Sequence, residues 1–192
     1  MDSLGNVISA HYYASESAPC NNVLAGVTSM IDGEALLWGA GSNFAAIKLD
    51  SSGQPDWSRR FNNMGGFRTV KSTPNGDLLM GINLNNAGAV VARMAPDGSA
   101  LWSRSYFGPR GMIAACLVET DDSFIITGYT DSLAYSNPFI PLPTNYQPKL
   151  FMMKLNGSGE VQWCRGFLST PDITLPPYGG AIVKSNDGGY GI

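Results

Sequence analysis

The sequence has few of the residues on which most catalytic sites depend. It contains one histidine and three cysteines among 192 residues, and only 14% of its residues are charged. No G-x-S-x-G, H-E-x-x-H, P-loop or G-x-G-x-x-G pattern occurs in it, so the nucleophile, zincin and nucleotide motifs are excluded. We therefore assign no catalytic, cofactor-binding or metal-binding residue and expect no cofactor. Paired carboxylates that meet only in space stay possible.

Charge and hydrophobic length exclude two further classes of protein. Lys and Arg number 12 against 15 Asp and Glu, with no basic block, so no nucleic-acid partner is predicted. The longest apolar runs, such as residues 112–118, are far short of the ~20 residues that a membrane helix needs. Cys20, Cys116 and Cys164 are odd in number and far apart, which predicts buried free thiols rather than disulfides or a metal pair.

One sequence motif recurs along the chain and indicates the fold. Each copy has a turn that contains glycine, then a strand that contains tryptophan in three of the four copies. The aligned glycines are residues 5, 53, 98 and 159, spaced 48, 45 and 61 residues apart. The three clear copies cover 49–61, 94–106 and 155–167, and a weaker copy opens the chain. A second motif, an apolar run after an Asn/Asp/Gly turn, alternates with the first motif. It occurs at 31–39, 74–81, 121–128 and 186–190.

Each motif predicts a β-hairpin, because it contains a short apolar run that is bounded by turn residues. Two hairpins in about 46 residues make a four-stranded antiparallel unit, the size of one β-propeller blade. We therefore predict an all-β propeller over residues 1–192. A β-sandwich is the alternative, although it does not explain a repeat of constant length. The predicted blades are 14–61, 62–107 and 108–167, with partial blades at 1–13 and 168–192.

The turn Asp-x-x-Gly followed by Trp, after a strand that ends in Lys or Arg plus an apolar residue, resembles quinoprotein-like β-propeller repeats. It is also similar to the propeller repeats of large secreted and surface bacterial proteins. This resemblance implies blade architecture and leaves activity open, because propellers support hydrolases, lyases, dehydrogenases and binding scaffolds. A quinoprotein dehydrogenase would need clustered carboxylates and in many cases adjacent cysteines. The sequence has no adjacent cysteine pair.

Alternation along the recurring strand predicts which side chains share a face. Pro55, Trp57, Arg59 and Phe61 form one such set, and the tryptophans are predicted to pack between blades. The repeated arginines are expected to stack on aromatic rings or bind carbonyl groups; the alternative is a cationic ring that binds an anion. These arginines are Arg59, Arg104 and Arg165. A second set of cations, near the end of the preceding strand, is predicted to be solvated at turns. It comprises Lys48, Arg93 and Lys154.

The longest repeat spacing contains an insertion at 131–148, rich in proline and aromatic residues. Long loops on rigid scaffolds often carry binding sites. Tyr135, Phe139 and Tyr146 are therefore predicted to bind a glycan or protein ligand. The alternative is a loop that only covers a blade.

The sequence begins and ends within predicted blades, so we expect a piece of a longer protein or a ring completed by another chain. Exposed edge strands favour pairing, which predicts a homo-oligomer or another protein partner. The predicted function is a non-catalytic binding or assembly module of a secreted or cell-surface protein, although the sequence shows no signal peptide. The alternative is part of a propeller enzyme, quinoprotein-like or carbohydrate-active, with catalytic residues partly outside this sequence.

Overall fold

The computed structural model describes residues 23–40, 43–62, 66–84, 88–106, 112–119, 121–130, 149–167 and 181–191. These residues form fourteen β-strands and one short 3-10 helix at Ile31–Gly33. The strands make three four-stranded antiparallel sheets and one two-stranded sheet. In the described residues, no helix is long and apolar enough to cross a membrane. The sheets have the arrangement that the repeat predicts.

Each four-stranded sheet is built from strands consecutive in sequence, and we call these sheets blades. Blade 1 consists of β1 (Val23–Ser29), β2 (Ala35–Ala40), β3 (Asn43–Leu49) and β4 (Pro55–Asn62). Blade 2 consists of β5 (Phe67–Ser72), β6 (Leu78–Leu84), β7 (Gly88–Met94) and β8 (Ala100–Ser105). Blade 3 consists of β9 (Met112–Val118), β10 (Phe124–Thr130), β11 (Lys149–Leu155) and β12 (Val161–Phe167). The two-stranded sheet pairs β13 (Val183–Lys184) with β14 (Tyr190–Gly191).

The turns between third and fourth strands explain the recurring glycine. Gly53, Gly98 and Gly159 have φ values of 84°, 82° and 79°, which glycine adopts without steric cost. The carboxylate of Asp50 accepts hydrogen bonds from the backbone N–H groups of Ser52 and Gln54. Such local bonds favour a tight turn, so the sequence determines each hairpin with nearby residues alone.

The blades lie side by side in chain order. β1 contacts β5, and β5 contacts β9, so the first strands of successive blades are neighbours. One buried cluster joins blades 1 and 2, and a second joins blades 2 and 3. We call these contacts the first seam and the second seam. The core of the molecule therefore lies between blades, and the division of residues 1–192 into blades beyond the three complete sheets stays a prediction.

Blade 2 presents one face to blade 1 and the other face to blade 3. Trp57 and Trp102 lie on the faces toward the next blade, and Trp163 lies on the face of blade 3 toward β13 and β14; each is partly buried against the core. The predicted packing between blades is confirmed for Trp57 and Trp102. The prediction for Pro55 is wrong, because the pairing shifts register between Lys48 and Leu49. This bulge pairs Pro55 with Leu49, whose side chain lies on the opposite face from that of Lys48.

The described cysteines are both free and buried, as predicted. Burial raises the pKa of Cys116 and that of Cys164 to about 11, so both are protonated at neutral pH. The Sγ of Cys116 lies 3.3 Å from the hydroxyl oxygen of Thr69 across the second seam. Both thiols are packing residues of the core, and Cys20 lies outside the described residues.

Candidate functional site

The residues predicted to bind a ligand divide into two groups. Tyr135, Phe139 and Tyr146 lie outside the described residues, so their role stays a prediction. Arg59, Arg104 and Arg165 are exposed and lie on the fourth strands of three different blades. The guanidinium of Arg59 lies 6.0 Å from the centre of the Trp57 ring, and that of Arg165 lies 6.0 Å from the centre of the Trp163 ring. Stacking on an aromatic ring is therefore confirmed for these two arginines.

The second set of cations lies in ion pairs and two of its three members are buried, so the prediction that it is solvated at turns is wrong. Lys48 and Arg93 are each 7% exposed, and the side chain of Lys154 is 19% exposed. Each cation pairs across strands with the tryptophan of its blade. In blades 1 and 2 the side chain therefore lies on the face that the next blade covers, and in blade 3 it lies on the face toward β13 and β14. The position of these cations near a strand end suggested that they are exposed to solvent. Sequence position alone does not reveal which face of a blade is covered.

In the first seam, the cation pairs with carboxylates of its own blade. The Nζ of Lys48 lies 2.9 Å from carboxylate oxygens of both Glu34 and Asp56. The hydrogen bond to Glu34 is the largest cause of a raised pKa for Lys48. Contact with blade 2 is made by other residues: the indole N–H of Trp57 donates to the carbonyl of Pro96 at 2.9 Å, and the hydroxyl of Thr28 donates to the carbonyl of Val70 at 2.9 Å. Lys48 thus stabilises blade 1 internally, while Trp57 and Thr28 bond it to blade 2.

In the second seam, the cation itself crosses to the next blade. Nε and Nη2 of Arg93 both lie 2.8 Å from one carboxylate oxygen of Asp77 in blade 2. Nη1 donates to Asp122 at 2.8 Å and to the carbonyl of Gly157 at 2.9 Å, both in blade 3. Burial acts to lower the pKa of Arg93, but the bonds to Asp122 and Asp77 outweigh it and the pKa is raised. Arg93 therefore holds two blades together.

Two aromatic residues add hydrogen bonds to the second seam. The indole N–H of Trp102 donates to the carbonyl of Gly157 at 3.1 Å, and the Trp102 ring lies 6.4 Å from that of Phe124. The hydroxyl of Tyr106 donates to the carbonyl of Gly159. Burial raises the pKa of Tyr106 to about 12. Blade 2 therefore binds the β11–β12 turn of blade 3 through several separate hydrogen bonds.

Asp122 adopts a backbone conformation that favours glycine. Its φ is 61°, at the turn position where the other hairpins have glycine. Those glycines are Gly33, Gly76 and Gly188, with φ values of 78°, 86° and 85°. Aspartate tolerates this conformation better than most residues, and here its carboxylate binds Arg93. The acid in place of glycine is a sequence signal for a contact between blades that the sequence-based predictions did not include.

A third cluster joins blade 3 to β13 and β14. Glu119 has a side chain that is 5% exposed and lies 2.7 Å from Nζ of both Lys154 and Lys184. Its carboxylate also accepts hydrogen bonds from the hydroxyls of Ser123 and Tyr190. Burial acts to raise the pKa of Glu119, but these donors outweigh it and lower the pKa from 4.5 to about 2. This carboxylate is therefore ionised at neutral pH.

The carboxylate of blade 3 comes from a different turn position from that in blades 1 and 2. Each first hairpin contains a backbone hydrogen bond between residues four apart: Met30 with Glu34, Thr73 with Asp77, and Glu119 with Ser123. The acid is the second residue of the pair in blades 1 and 2 and the first in blade 3. Each of these acids pairs with the cation of its own blade. The ion pair is thus a repeated feature even though its residues change.

A cleft of about 820 Å³ opens along the first seam. One wall is the fourth strand of blade 1, and the other is the facing surface and β7–β8 turn of blade 2. The apolar lining includes Met80, Ile82, Leu84, Val90 and Ala92, and the polar lining includes Arg59, Arg60 and several serines. Of the three arginines that the sequence analysis selected, only Arg59 lines this cleft. Among the described residues, no cluster of three or more His, Cys, Asp or Glu side chains has the geometry of a metal site.

These four-stranded antiparallel blades, arranged side by side with tryptophan between them, define a β-propeller protein. No protein-family model and no curated protein matches the sequence. Hydrazine synthase from Kuenenia stuttgartiensis is a structural neighbour with a TM-score of 0.54 and 16% identity, covering 72% of this chain. The chain spans 41% of that neighbour's chain. At this identity the likeness shows the fold alone.

Two further solved structures are similar at lower scores. A protein of unknown function from Bacteroides caccae has 11% identity and a TM-score of 0.46, covering 77% of this chain and 62% of its own. BamB from Moraxella catarrhalis has 13% identity and a TM-score of 0.45, covering 73% of this chain and 36% of its own. All three neighbours are thus longer than the part that aligns with this chain.

Proposed function

We propose that this protein is a binding and assembly module that associates with a second copy of itself through the open face of blade 1. The observation that carries the proposal is an apolar row on the face of blade 1 that points away from blade 2. Val27, Leu37 and Ile47 are cross-strand neighbours in this row. Val27 is 60% exposed, and Leu37 and Ile47 are only half-buried. A soluble surface rarely leaves such a row uncovered without an interaction.

The equivalent rows of the other blades are buried by the preceding blade. In blade 2 the row is Val70, Met80 and Ala92, with exposures of 3%, 3% and 8%. In blade 3 it is Cys116, Ile126 and Met153, with exposures of 3%, 1% and 1%. Three blades therefore have the same apolar row, and in two of them it is covered. The row of blade 1 has the chemistry of a blade interface.

A second copy is the occupant that best fits this row. Inside the chain, the covering surface is always the tryptophan-bearing face of a blade, as at Trp57 and Trp102. On blade 3 this face packs against the β13–β14 hairpin, where Trp163 contacts Tyr190, so a second copy would present that hairpin, in which Val183 is 61% exposed. Contact between these two different surfaces would be head-to-tail, the type that forms rings or filaments. The module would then extend or close the propeller by adding blades.

We further propose that the protein acts outside the cell or at its surface. The support is the resemblance of the repeat to those of secreted and surface bacterial proteins. Protease treatment of intact source cells tests this location: loss of the protein without lysis supports it, and complete protection contradicts it.

Sedimentation velocity over a range of concentrations tests the assembly. We expect the wild-type protein to form larger species at micromolar concentration and Val27→Asp to remain smaller, because a charge in an apolar contact costs several kcal/mol. Leu101→Asp is the matched control, since Leu101 is 50% exposed on the outer strand of blade 2. A wild-type monomer at all concentrations, or equal effects of both substitutions, would contradict the proposal.

A further inference from the structure

The cleft in the first seam combines apolar walls with a basic mouth. Its volume of about 820 Å³ lies within the range of small-molecule sites, roughly 300–1,000 Å³. Leu84 and Val90 are only partly buried and provide the apolar wall that a ligand can reach; Met80 and Ile82 also line the cleft but are each 3% exposed. Arg59 and Arg60 are exposed residues of β4 at its edge. A ligand in this cleft would place an apolar body against blade 2 and a polar group near β4.

The charge of the cleft is of one sign. Its lining contains three arginines and no aspartate or glutamate, although acidic residues outnumber basic residues in the whole chain. One of the three, Arg93, is neutralised by Asp77 and Asp122. The guanidinium of Arg59 has a weaker set of contacts: the Trp57 ring at 6.0 Å and the carbonyl of Asp97 at 3.5 Å. The exposed carboxylate of Asp97 accepts its hydrogen bond from Ser99, which lowers the pKa of that acid, and an electrostatic attraction to Arg59 adds to this shift. Arg59 therefore keeps N–H donors for a second anion.

The backbone of blade 2 accommodates Arg59 at this position. A Cβ atom added to Gly98 would lie 2.5 Å from Nε of Arg59, so a side chain there would displace the guanidinium. In the second seam the matching space is used differently. Tyr106 is 7% exposed and its hydroxyl binds the carbonyl of Gly159, whereas Phe61, at the same repeat position, is half-buried and has no hydroxyl. Beside its turn glycine, the first seam thus has Arg59, whereas the second seam has Tyr106 hydrogen-bonded to the next blade.

We propose that this cleft binds an amphiphilic anion, with a hydrocarbon chain against Leu84 and Val90 and a carboxylate paired with Arg59. The apolar walls select the chain, and guanidinium pairs well with carboxylate oxygens. The site goes beyond the assembly role, because it lies on the opposite face of blade 1 from the open row. Binding requires no covalent step and no metal.

Calorimetric titration with dodecanoate, below its micellar concentration, tests the site. We expect saturable binding at one site per chain, and binding about tenfold weaker to Arg59→Glu, because a charge-assisted hydrogen bond is replaced by repulsion. Arg104→Glu is the matched control: Arg104 has the same repeat position in blade 2 and does not line the cleft. Its affinity should equal that of the wild type.

Two further ligands separate the contributions of chain and head group. Dodecanol should bind more weakly than dodecanoate to the wild type and equally to wild type and Arg59→Glu, because it has no charge. Acetate should give no saturable binding, because it has no chain to bury. The proposal is overturned if dodecanoate does not bind, if Arg59→Glu binds it as well as the wild type, or if Arg104→Glu weakens binding equally. Thermal unfolding of both variants controls for folding.

Discussion

The two seams between complete blades use the same repeat positions but distribute their polar contacts differently. In the first seam, Lys48 pairs with two carboxylates of its own blade, and Trp57 makes a hydrogen bond to the next blade. In the second seam, Arg93 bonds to both blades. Tyr106 adds a further hydrogen bond across the second seam. The seam with fewer of these cross-blade bonds is also the one with the cleft.

A propeller repeat therefore determines the positions of these side chains but not the partners that they bind. In each blade the cation is on the third strand, between an apolar residue of the second strand and the tryptophan of the fourth strand. Its position on this face therefore follows from the fold. Its partner depends on the turn of the neighbouring blade. Asp122 is available to Arg93 only because blade 3 has an acid where the equivalent hairpin of blade 2 has Gly76. The acid at this turn position thus adds an ion pair between blades to the one that Arg93 makes with Asp77 inside blade 2.

Removal of the two cations should give the largest difference between the seams in the free energy of unfolding. Arg93→Met leaves Asp77 and Asp122 without their cation, and their side chains are 17% and 32% exposed. We expect a loss of about 3–5 kcal/mol in the free energy of unfolding, as for a broken buried pair. Lys48→Met should cost about 1–2 kcal/mol, because Asp56 is half exposed and can be hydrated. Urea unfolding measures both, and equal losses would contradict the comparison.

The Glu119 cluster extends the comparison to the contact between blade 3 and the β13–β14 hairpin. Because the pKa of Glu119 falls from 4.5 to about 2 on folding, its stabilisation is present above pH 4.5 and is lost as the pH falls toward 2. Glu119→Gln should lower stability by about 2 kcal/mol at neutral pH and flatten the pH dependence in this window. Glu160→Gln, at an exposed turn, is the control. An unchanged acid profile in Glu119→Gln would contradict this assignment.

The tryptophans are the feature that the two seams share, so their substitution should have similar effects. Trp57→Phe and Trp102→Phe each remove an indole N–H that donates to a turn carbonyl of the next blade, at 2.9 and 3.1 Å. We expect each to lower the free energy of unfolding by about 1–2 kcal/mol. The two losses should agree within about 0.5 kcal/mol by urea unfolding. A much larger effect in one seam would show that these tryptophans are not equivalent.

The smallest expected difference concerns one hydroxyl group. Tyr106→Phe removes the bond to the carbonyl of Gly159 and should cost about 1 kcal/mol. Phe61→Tyr places a hydroxyl at the same repeat position of the first seam, beside the cleft, and should change stability by less than about 0.5 kcal/mol. Thermal and urea unfolding of the two variants provide the measurement. The comparison fails here if Phe61→Tyr is the more harmful change.

Local features of the fold were predictable from the sequence, because nearby residues determine them. Gly53 and Asp50 explain a hairpin turn by backbone conformation and a short-range hydrogen bond. Two such turns per repeat predict a four-stranded blade. The tryptophan contacts were also predictable, since a large aromatic residue that recurs once per blade is best buried between blades.

The candidate site was less predictable, because it depends on contacts between blades. Lys48 and Arg93 have the same repeat position, and nothing adjacent to them in sequence indicates whose carboxylate they meet. The cleft beside Arg59 is likewise set by the distance between two sheets. One signal was present: the turn acid, which moves from the second hydrogen-bonded position in blades 1 and 2 to Glu119 in blade 3. An acid retained at changing positions indicates a partner cation.

The most direct test of the assembly proposal is hydroxyl-radical footprinting of the open row as a function of protein concentration. Val27 is the reporter, and Val70, its equivalent in blade 2 and 3% exposed, is the internal reference. We predict that Val27 is oxidised rapidly at low concentration and becomes protected as the protein associates, while Val70 stays protected throughout. Oxidation of Val27 that does not change up to the highest concentration would contradict the proposal.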